Sequence, residues 1–144
     1  MLVSQILRNK ETQSVVTVAP GTPLSEVVKV LSENRIGALV VSSDGKKVAG
    51  ILSERDIVRE LGKRGAGCLS DTVDDVMTRN VYGCKPDDSA DLVLQTMTMK
   101  RFRHIPVMEG DQMLGLISIG DVVAARMSEL ELEKDALTGM IMGY

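Results

Sequence analysis

Two short pieces of this chain set a hydroxyl and a carboxylate at the same spacing: Ser53-x-x-Asp56 and, 65 positions later, Ser118-x-x-Asp121. Each follows a glycine and two apolar residues (Gly50-Ile51-Leu52, Gly115-Leu116-Ile117) and leads into an apolar pair (Ile57-Val58, Val122-Val123). That order reads as a buried strand that ends at the serine and turns into a helix. The serine is then an N-cap whose oxygen accepts an orphan backbone N–H. The aspartate three residues on closes a capping box and complements the helix dipole. A second chemistry fits the same atoms, because free N–H groups at a helix start attract phosphate and a nearby carboxylate accepts hydrogen bonds from a ribose diol. One helix can do both.

Composition removes several other chemistries. A chain of 144 residues, 44% apolar and 26% charged, suits one compact globular protein that buries roughly two-thirds of its unfolded surface. No apolar run approaches the roughly 20 residues needed to span a bilayer, and no secretory apolar segment opens the chain. No membrane association and a cytoplasmic location are therefore expected. The two cysteines, Cys68 and Cys84, follow no Cys-x-x-Cys spacing and read as free thiols in a reducing compartment. His104 is the single histidine, too few for a zinc site, so no metal is expected. Net charge is −3, with 10 basic and 8 acidic side chains in residues 1–72 against 7 and 12 in residues 73–144. That balance argues against a nucleic-acid partner. With only Tyr82, Phe102 and Tyr144 as aromatics, bases have no stacking platform, and a flat ring bound here must lie between aliphatic side chains. No nucleophile–base pair, metal cluster or phosphate loop appears, so no catalytic residue is assigned and the chain is not read as an enzyme.

The elements that position the two motifs also come in duplicate. Leu2–Leu7 and Val73–Met77 read as short lead-in helices. Val15–Val18 reads as a strand stopped by Pro20, and Val81–Pro86 takes the same place in the second half, Pro86 lying 66 positions after Pro20. Leu24, Val27, Val28 and Leu31 recur at helical spacing, and Ala90, Val93, Leu94 and Met97, each 66 positions on, repeat the pattern. Met97 and Met99 read as core filling. Strands follow at Ile36–Val41 and Phe102–Val107, then hairpin turns at Asp44-Gly45 and Glu109-Gly110, then returning strands at Val48–Leu52 and Met113–Ile117. Each half thus reads β-α-β-β-α. Gly62–Gly67 reads as a flexible basic connector, and from residue 127 on an apolar seam (Met127, Leu130, Leu137, Met140, Ile141) suits either capping of the chain's own domain or, the favoured reading, packing against another subunit.

The order Val15-x-Thr17-Val18-x-Pro20, Ile36-Gly37-Ala38-Leu39-Val40-Val41 and Gly50-Ile51-Leu52-Ser53-Glu54-Arg55-Asp56, with Arg103-His104-Ile105-Pro106-Val107 and Gly115-Leu116-Ile117-Ser118-Ile119-Gly120-Asp121 in the second half, resembles a tandem cystathionine-β-synthase-type (CBS) domain pair, or Bateman module. The resemblance spans about residues 1–127. It implies an α/β (α+β) fold of two β-α-β-β-α repeats packed with pseudo-twofold symmetry, divided as 1–65 (first repeat with its lead-in helix), 66–127 (second repeat) and 128–144 (helical extension).

By that resemblance the chain is a regulatory module that binds an adenosine-containing ligand (AMP, ADP, ATP, NAD(H) or S-adenosylmethionine), needs no obligatory cofactor, and forms a disc-like homodimer that signals to a target protein. Asp56 and Asp121 would hold ribose, with Ser53 and Ser118 near phosphate. Gly37, Ala38 and Leu39 in one half, and Ile105 and Pro106 in the other, would hold adenine, with Val15, Thr17 and Val81 completing the walls. Arg103 and His104 are expected to complete the Asp56 site with cationic donors, and Gly37-Ala38 the Asp121 site without charge. A phosphorylated ligand should therefore prefer Asp56. The competing reading is an interaction module that binds no ligand, in which both Ser-x-x-Asp motifs serve only as caps.

Overall fold

The computed structural model describes residues 1–10 and 14–143; Tyr144 lies outside them. In chain order the elements are α1 (Val3–Asn9), β1 (Thr17–Val18), α2 (Leu24–Asn34), β2 (Ala38–Val41), β3 (Gly50–Ser53), α3 (Glu54–Arg64), a 3-10 segment (Gly65–Ser70), α4 (Val73–Val76), α5 (Ala90–Lys100), β4 (His104–Glu109), β5 (Gln112–Ser118) and α6 (Ile119–Met142). They gather into two compact units, one around each Ser-x-x-Asp copy. The first comprises Ser14–Tyr82 with Glu109–Leu114, and the second Met1–Gln13 with Gly83–Met108 and Gly115–Tyr144.

In the first unit β1, β2 and β3 form one sheet in that order. Thr17 lies beside Val40 in the parallel pair, and Ala38 opposite Ser53 and Val40 opposite Ile51 in the antiparallel pair. One sheet face carries the core, where Leu39, Val41 and Leu52 pack with Leu24, Val27 and Leu31 of α2, Ile57 of α3, Cys68 and Val73. The β2–β3 turn is tied by Asp44, whose Oδ1 accepts the N–H groups of Lys46 (2.8 Å) and Lys47 (2.9 Å). Those backbone donors pull its carboxyl down to about 2. Gly45 beside it has φ 80°, a left-handed conformation that glycine adopts without a Cβ penalty.

In the second unit β4 and β5 pair as a hairpin. Ile105, Val107 and Ile117 pack with Val3 and Ile6 of α1, Cys84, Ala90, Val93 and Met97 of α5, and Val122 and Ala125 of α6. The helical apolar stripes found by spacing are this core: Val28 and Leu94 are partly buried, and the other members of both stripes are buried. Met99 is the exception. It was expected to fill the core and is 79% exposed, because two residues of helix carry it about 200° round from Met97.

Two further expectations change. The first-strand place of the second repeat holds only an isolated bridge, Cys84 with Val107, in a segment where Pro86 has no N–H to donate to a ladder. Gly62–Gly67 is regular structure rather than a loose connector: Gly62 lies within α3 and Gly65 opens the 3-10 segment. Arg64 fixes that corner by ion pairs to Glu60 and Asp71, and Cys68 anchors it in the core.

The lead-in helices are traded between the copies. α1 precedes the first Ser-x-x-Asp but packs into the core around the second, and α4 does the reverse. The backbone bonds are the same in both units. Val73 N–H donates to Thr22 and Leu24 N–H to Asp71 (both 2.8 Å), as Val3 N–H donates to Asp88 and Ala90 N–H to Met1 (both 2.9 Å). The sequence divisions at 1–65 and 66–127 follow the repeat, whereas the compact units exchange these segments. Among the described residues no helix is long and apolar enough to cross a membrane, and no group of three or more His, Cys, Asp or Glu side chains could hold a metal ion.

A Cβ added at Gly50 would meet Met77 Sδ at 2.6 Å and the Thr78 carbonyl oxygen at 2.9 Å, whereas one at Gly115 would meet only the Leu7 side chain, at 2.7 Å. Thr78 cannot retreat, since its N–H and carbonyl both bond Ile51 (2.9 and 3.0 Å); Leu7 can rotate. In urea denaturation Gly50→Ala should lose about 1–3 kcal/mol and Gly115→Ala clearly less, and equal losses would contradict this packing. Burial, with the Asp88 charge adding to it, pushes the Cys84 thiol up to about 12. Iodoacetamide at pH 8 should therefore leave Cys84 unlabelled until the chain is unfolded, thiolate being the reactive form.

Candidate functional site

Both Ser-x-x-Asp motifs fold as capping boxes. At the start of α3 the Ser53 N–H and hydroxyl donate to Asp56 Oδ2 (2.9 and 3.0 Å), and Asp56 N–H donates to Ser53 Oγ (3.4 Å). At the start of α6 Ser118 N–H donates to Asp121 Oδ2 (2.8 Å) and Asp121 N–H to Ser118 Oγ (3.1 Å). The next residue locks each helix start to the strand before it. Glu54 N–H donates to the Gly37 carbonyl (2.8 Å), and Ile119 N–H to the Arg103 carbonyl (2.7 Å). Capping engages Oδ2 alone of each carboxylate, and both side chains keep solvent contact, at 14% for Asp56 and 25% for Asp121.

In the first unit the site residues divide by sheet face. Side chains alternate along a strand, so with Leu39, Val41 and Leu52 in the core, the opposite face carries Ala38, Val40, Ile51 and Ser53. Thr17 joins them beside Val40, and Val15 stands two residues earlier on the same alternation. Small and aliphatic groups therefore share one face with the Ser53 hydroxyl, and Asp56 stands at its end. Leu39 alternates onto the other face, into the first unit's core, and Ala38, Val40 and Ile51 are buried as well. Val40 and Ile51 share the face of Ala38, as strict alternation requires. Gly37 lies at the mouth of α3 through its carbonyl. Val81 is three residues beyond Thr78, whose backbone bridges Ile51.

In the second unit Ile105 is fully buried, so His104 and Pro106 alternate onto the other face of β4. Pro106 is itself buried, and its carbonyl accepts the Cys84 N–H (2.9 Å). Arg103 and His104 belong to the unit of Ser118 and Asp121, whereas Gly37 and Ala38 belong to that of Ser53 and Asp56.

The electrostatics of the two acids differ because of a residue that sequence reading did not single out. Lys10, just after α1, places Nζ 2.9 Å from Asp121 Oδ2 and donates to the Leu116 carbonyl at 2.8 Å. Burial works against ionisation of Asp121, but the Ser118 N–H and the Lys10 ammonium outweigh it and hold the carboxyl below its ordinary value. Asp56 has a looser cation, Arg59 Nη1 at 3.4 Å from Oδ1, on a side chain 61% exposed. Nothing in local spacing links Lys10 to Asp121; the contact exists because α1 packs with the second copy.

A carboxyl lowered on folding adds stability above its unfolded value, about 3.9 for aspartate, and loses it as pH falls through the folded value. The stability gap between the natural chain and Asp121→Asn should therefore hold from pH 7 to about pH 5 and narrow below. Denaturant midpoints measured against pH check this, and a constant gap down to pH 3 would contradict it.

Comparison with known proteins agrees with this architecture. A CBS domain family model matches the chain twice, at residues 3–63 and 73–128. The CBS domain-containing protein CBSX3, mitochondrial, of Arabidopsis thaliana is 37% identical over 122 residues, 82% of this chain and 59% of that protein; the chain thus spans less than two-thirds of that relative. A crystal structure of a CBS-domain containing protein from Agrobacterium tumefaciens has a TM-score of 0.83 at 40% identity, covering 88% of this chain and 99% of that one. The CBS domain pair of protein MJ0100, solved in complex with 5′-methylthioadenosine and S-adenosyl-L-methionine, has a TM-score of 0.77 at 23% identity over 90% of this chain and 98% of that one, a likeness of fold. Doubled motif, doubled core and doubled family match agree: this chain belongs to the CBS domain family and carries two CBS repeats in tandem.

Proposed function

We propose that this chain is a ligand-sensing CBS pair whose principal site is the non-core sheet face of the first unit, and that its ligand carries an adenosine moiety. The observation that carries the reading is the Ser53 hydroxyl and the Asp56 carboxylate, both partly exposed, at the edge of a sheet face whose aliphatic members are half-buried Val15 and buried Ala38, Val40 and Ile51. Adenine is a flat, largely apolar ring with polar edges, and aliphatic walls bury its faces well where aromatic residues are scarce. Asp56 Oδ1 has lone pairs for a ribose diol, while Oδ2 stays in the cap and keeps the carboxylate aimed. The positive end of α3 favours a phosphate beside it. That a fold neighbour binds two adenosine compounds agrees with this chemistry, but the choice among AMP, ADP, ATP, NAD(H) and S-adenosylmethionine rests on groups beyond the ribose.

The two copies are unequal in this reading. Asp121 is already paired with the Lys10 ammonium at 2.9 Å on the oxygen its cap uses, which lessens the negative charge it can offer a ligand, whereas the Arg59 contact on Asp56 Oδ1 is longer and solvated. Asp56 faces only a solvated arginine. Ligand binding to the first unit then alters the surface offered to a partner protein, which is the output of a chain with no catalytic group assigned.

A second reading has its own support, since both capping boxes are closed and satisfied without any ligand. Thermal denaturation separates the two. A ligand at about 100 times its Kd stabilises by roughly 2.7 kcal/mol, which raises Tm by several degrees at about 3 °C per kcal/mol for this size. Expected is such a rise with AMP for the natural chain and for Asp121→Ala, and its loss in Asp56→Ala. A flat response of the natural chain to AMP, ATP, NADH and S-adenosylmethionine would favour the ligand-free module, and equal losses in the two variants would sink the asymmetry.

A further inference from the structure

We propose that the residue just past each lead-in helix decides whether its copy can hold a ribose: Lys10 keeps the Asp121 site shut, and Asn80, at the matching place, leaves the Asp56 site open. This rests on the adenosine reading of the first unit and extends it to a second, latent site for the same class of ligand.

The two lead-in segments correspond residue by residue. Val73 and Met77 each lie 70 positions after Val3 and Leu7. Val3 and Val73 are fully buried in their cores, and the side chains that stand over Gly115 and Gly50 are those of Leu7 and Met77. Lys10 therefore corresponds to Asn80, and on the strands Leu116 corresponds to Ile51. In the first unit the Ile51 carbonyl accepts the Thr78 N–H (2.9 Å), a backbone bridge. In the second the Leu116 carbonyl accepts the Lys10 ammonium (2.8 Å), a side chain. The same Nζ lies 2.9 Å from Asp121 Oδ2. Lys10 thus spans the strand-to-helix corner, from a carbonyl before the Ser118 cap to the carboxylate after it.

That span closes the corner in two ways. A ribose diol donates its hydroxyls, and a charged acceptor makes such bonds roughly twice as strong as a neutral one. Here the ammonium takes up that charge, and with both side chains only 25% exposed salt screens the pair little. A ligand that instead displaces the ammonium leaves the Leu116 carbonyl without its donor, and an unmade bond costs more than a made one gains. Asn80 is shorter, uncharged and exposed, and the corner in its unit is already bridged by the Thr78 backbone. It neutralises no acid there.

Isothermal titration of the full chain with AMP counts the sites. Expected are one site in the natural chain, two in Lys10→Asn, and one in Lys10→Arg, which keeps the cation. Asn80→Lys should weaken or abolish the first site. Removing a cation works against an anionic ligand and adding one works for it, so neither change is an effect of net charge. One site in both the natural chain and Lys10→Asn overturns the inference and leaves the first-unit reading intact. Two sites in the natural chain and one in Lys10→Asn also overturn it, the ammonium then holding phosphate. If the natural chain takes no AMP, the first-unit reading fails; one site in Lys10→Asn then upholds the inference, and none overturns it. Iodoacetamide labelling of Cys84 shows whether Lys10→Asn has unfolded. If it has, Asn80→Lys decides, and an unchanged first site overturns the proposal.

Discussion

The structure depends on how the chain turns from strand into helix at Ser53 and Ser118. A helix start leaves N–H groups without intrahelical partners, and here the same local exchange satisfies them twice. The serine oxygen takes the aspartate N–H, the carboxylate takes the serine N–H, and the residue between donates to the carbonyl that opens the middle strand. Each bond fixes a different part: the helix axis, the carboxylate's direction, and the contact of β2 with α3 or of β4 with α6. The box therefore holds the fold, and it also leaves a carboxylate with spare lone pairs at the edge of a strand. Structure and candidate function share one set of atoms.

From that common frame the copies diverge through a few neighbours. Gly37 in the first copy corresponds to Arg103 in the second, and Arg55 to Gly120. The largest difference comes from outside both motifs, since α1 brings Lys10 onto Asp121 while α4 brings no matching cation onto Asp56. Two similar capping boxes become one carboxylate paired closely with a half-buried lysine and one whose nearest cation is a looser, exposed arginine. Traded lead-in helices are thus the means by which a sequence repeat becomes an electrostatic asymmetry.

The duplication, the strand–helix order, the apolar stripes of α2 and α5 and both Ser-x-x-Asp helix starts were legible in the sequence, because each is a local pattern with a local physical cause. The face assignment was legible only in part. Alternation places Ala38 and Val40 on one face and Leu39 on the other, a division that the contiguous reading of Gly37-Ala38-Leu39 did not make. Lys10 was not legible. Its partner is 111 positions away, and the contact depends on which core Val3 and Ile6 enter, which no spacing within Leu2–Leu7 specifies. The ordered turn after α3 was hidden for a related reason: three glycines read as slack until the burial of Cys68 and the Arg64 ion pairs are known.

Membership of the CBS family accounts for the doubled frame, and the Lys10–Asp121 ion pair sets a charge difference between the two aspartates within it. The claim on which the functional reading turns is that Asp56 is the carboxylate available to a ribose and Asp121 is held by Lys10. Side-chain carboxyl carbon NMR during addition of AMP reads both groups at once. Expected is a saturable shift of the Asp56 carboxyl signal with the Asp121 signal unmoved; movement of Asp121 alone, or of neither, would contradict it.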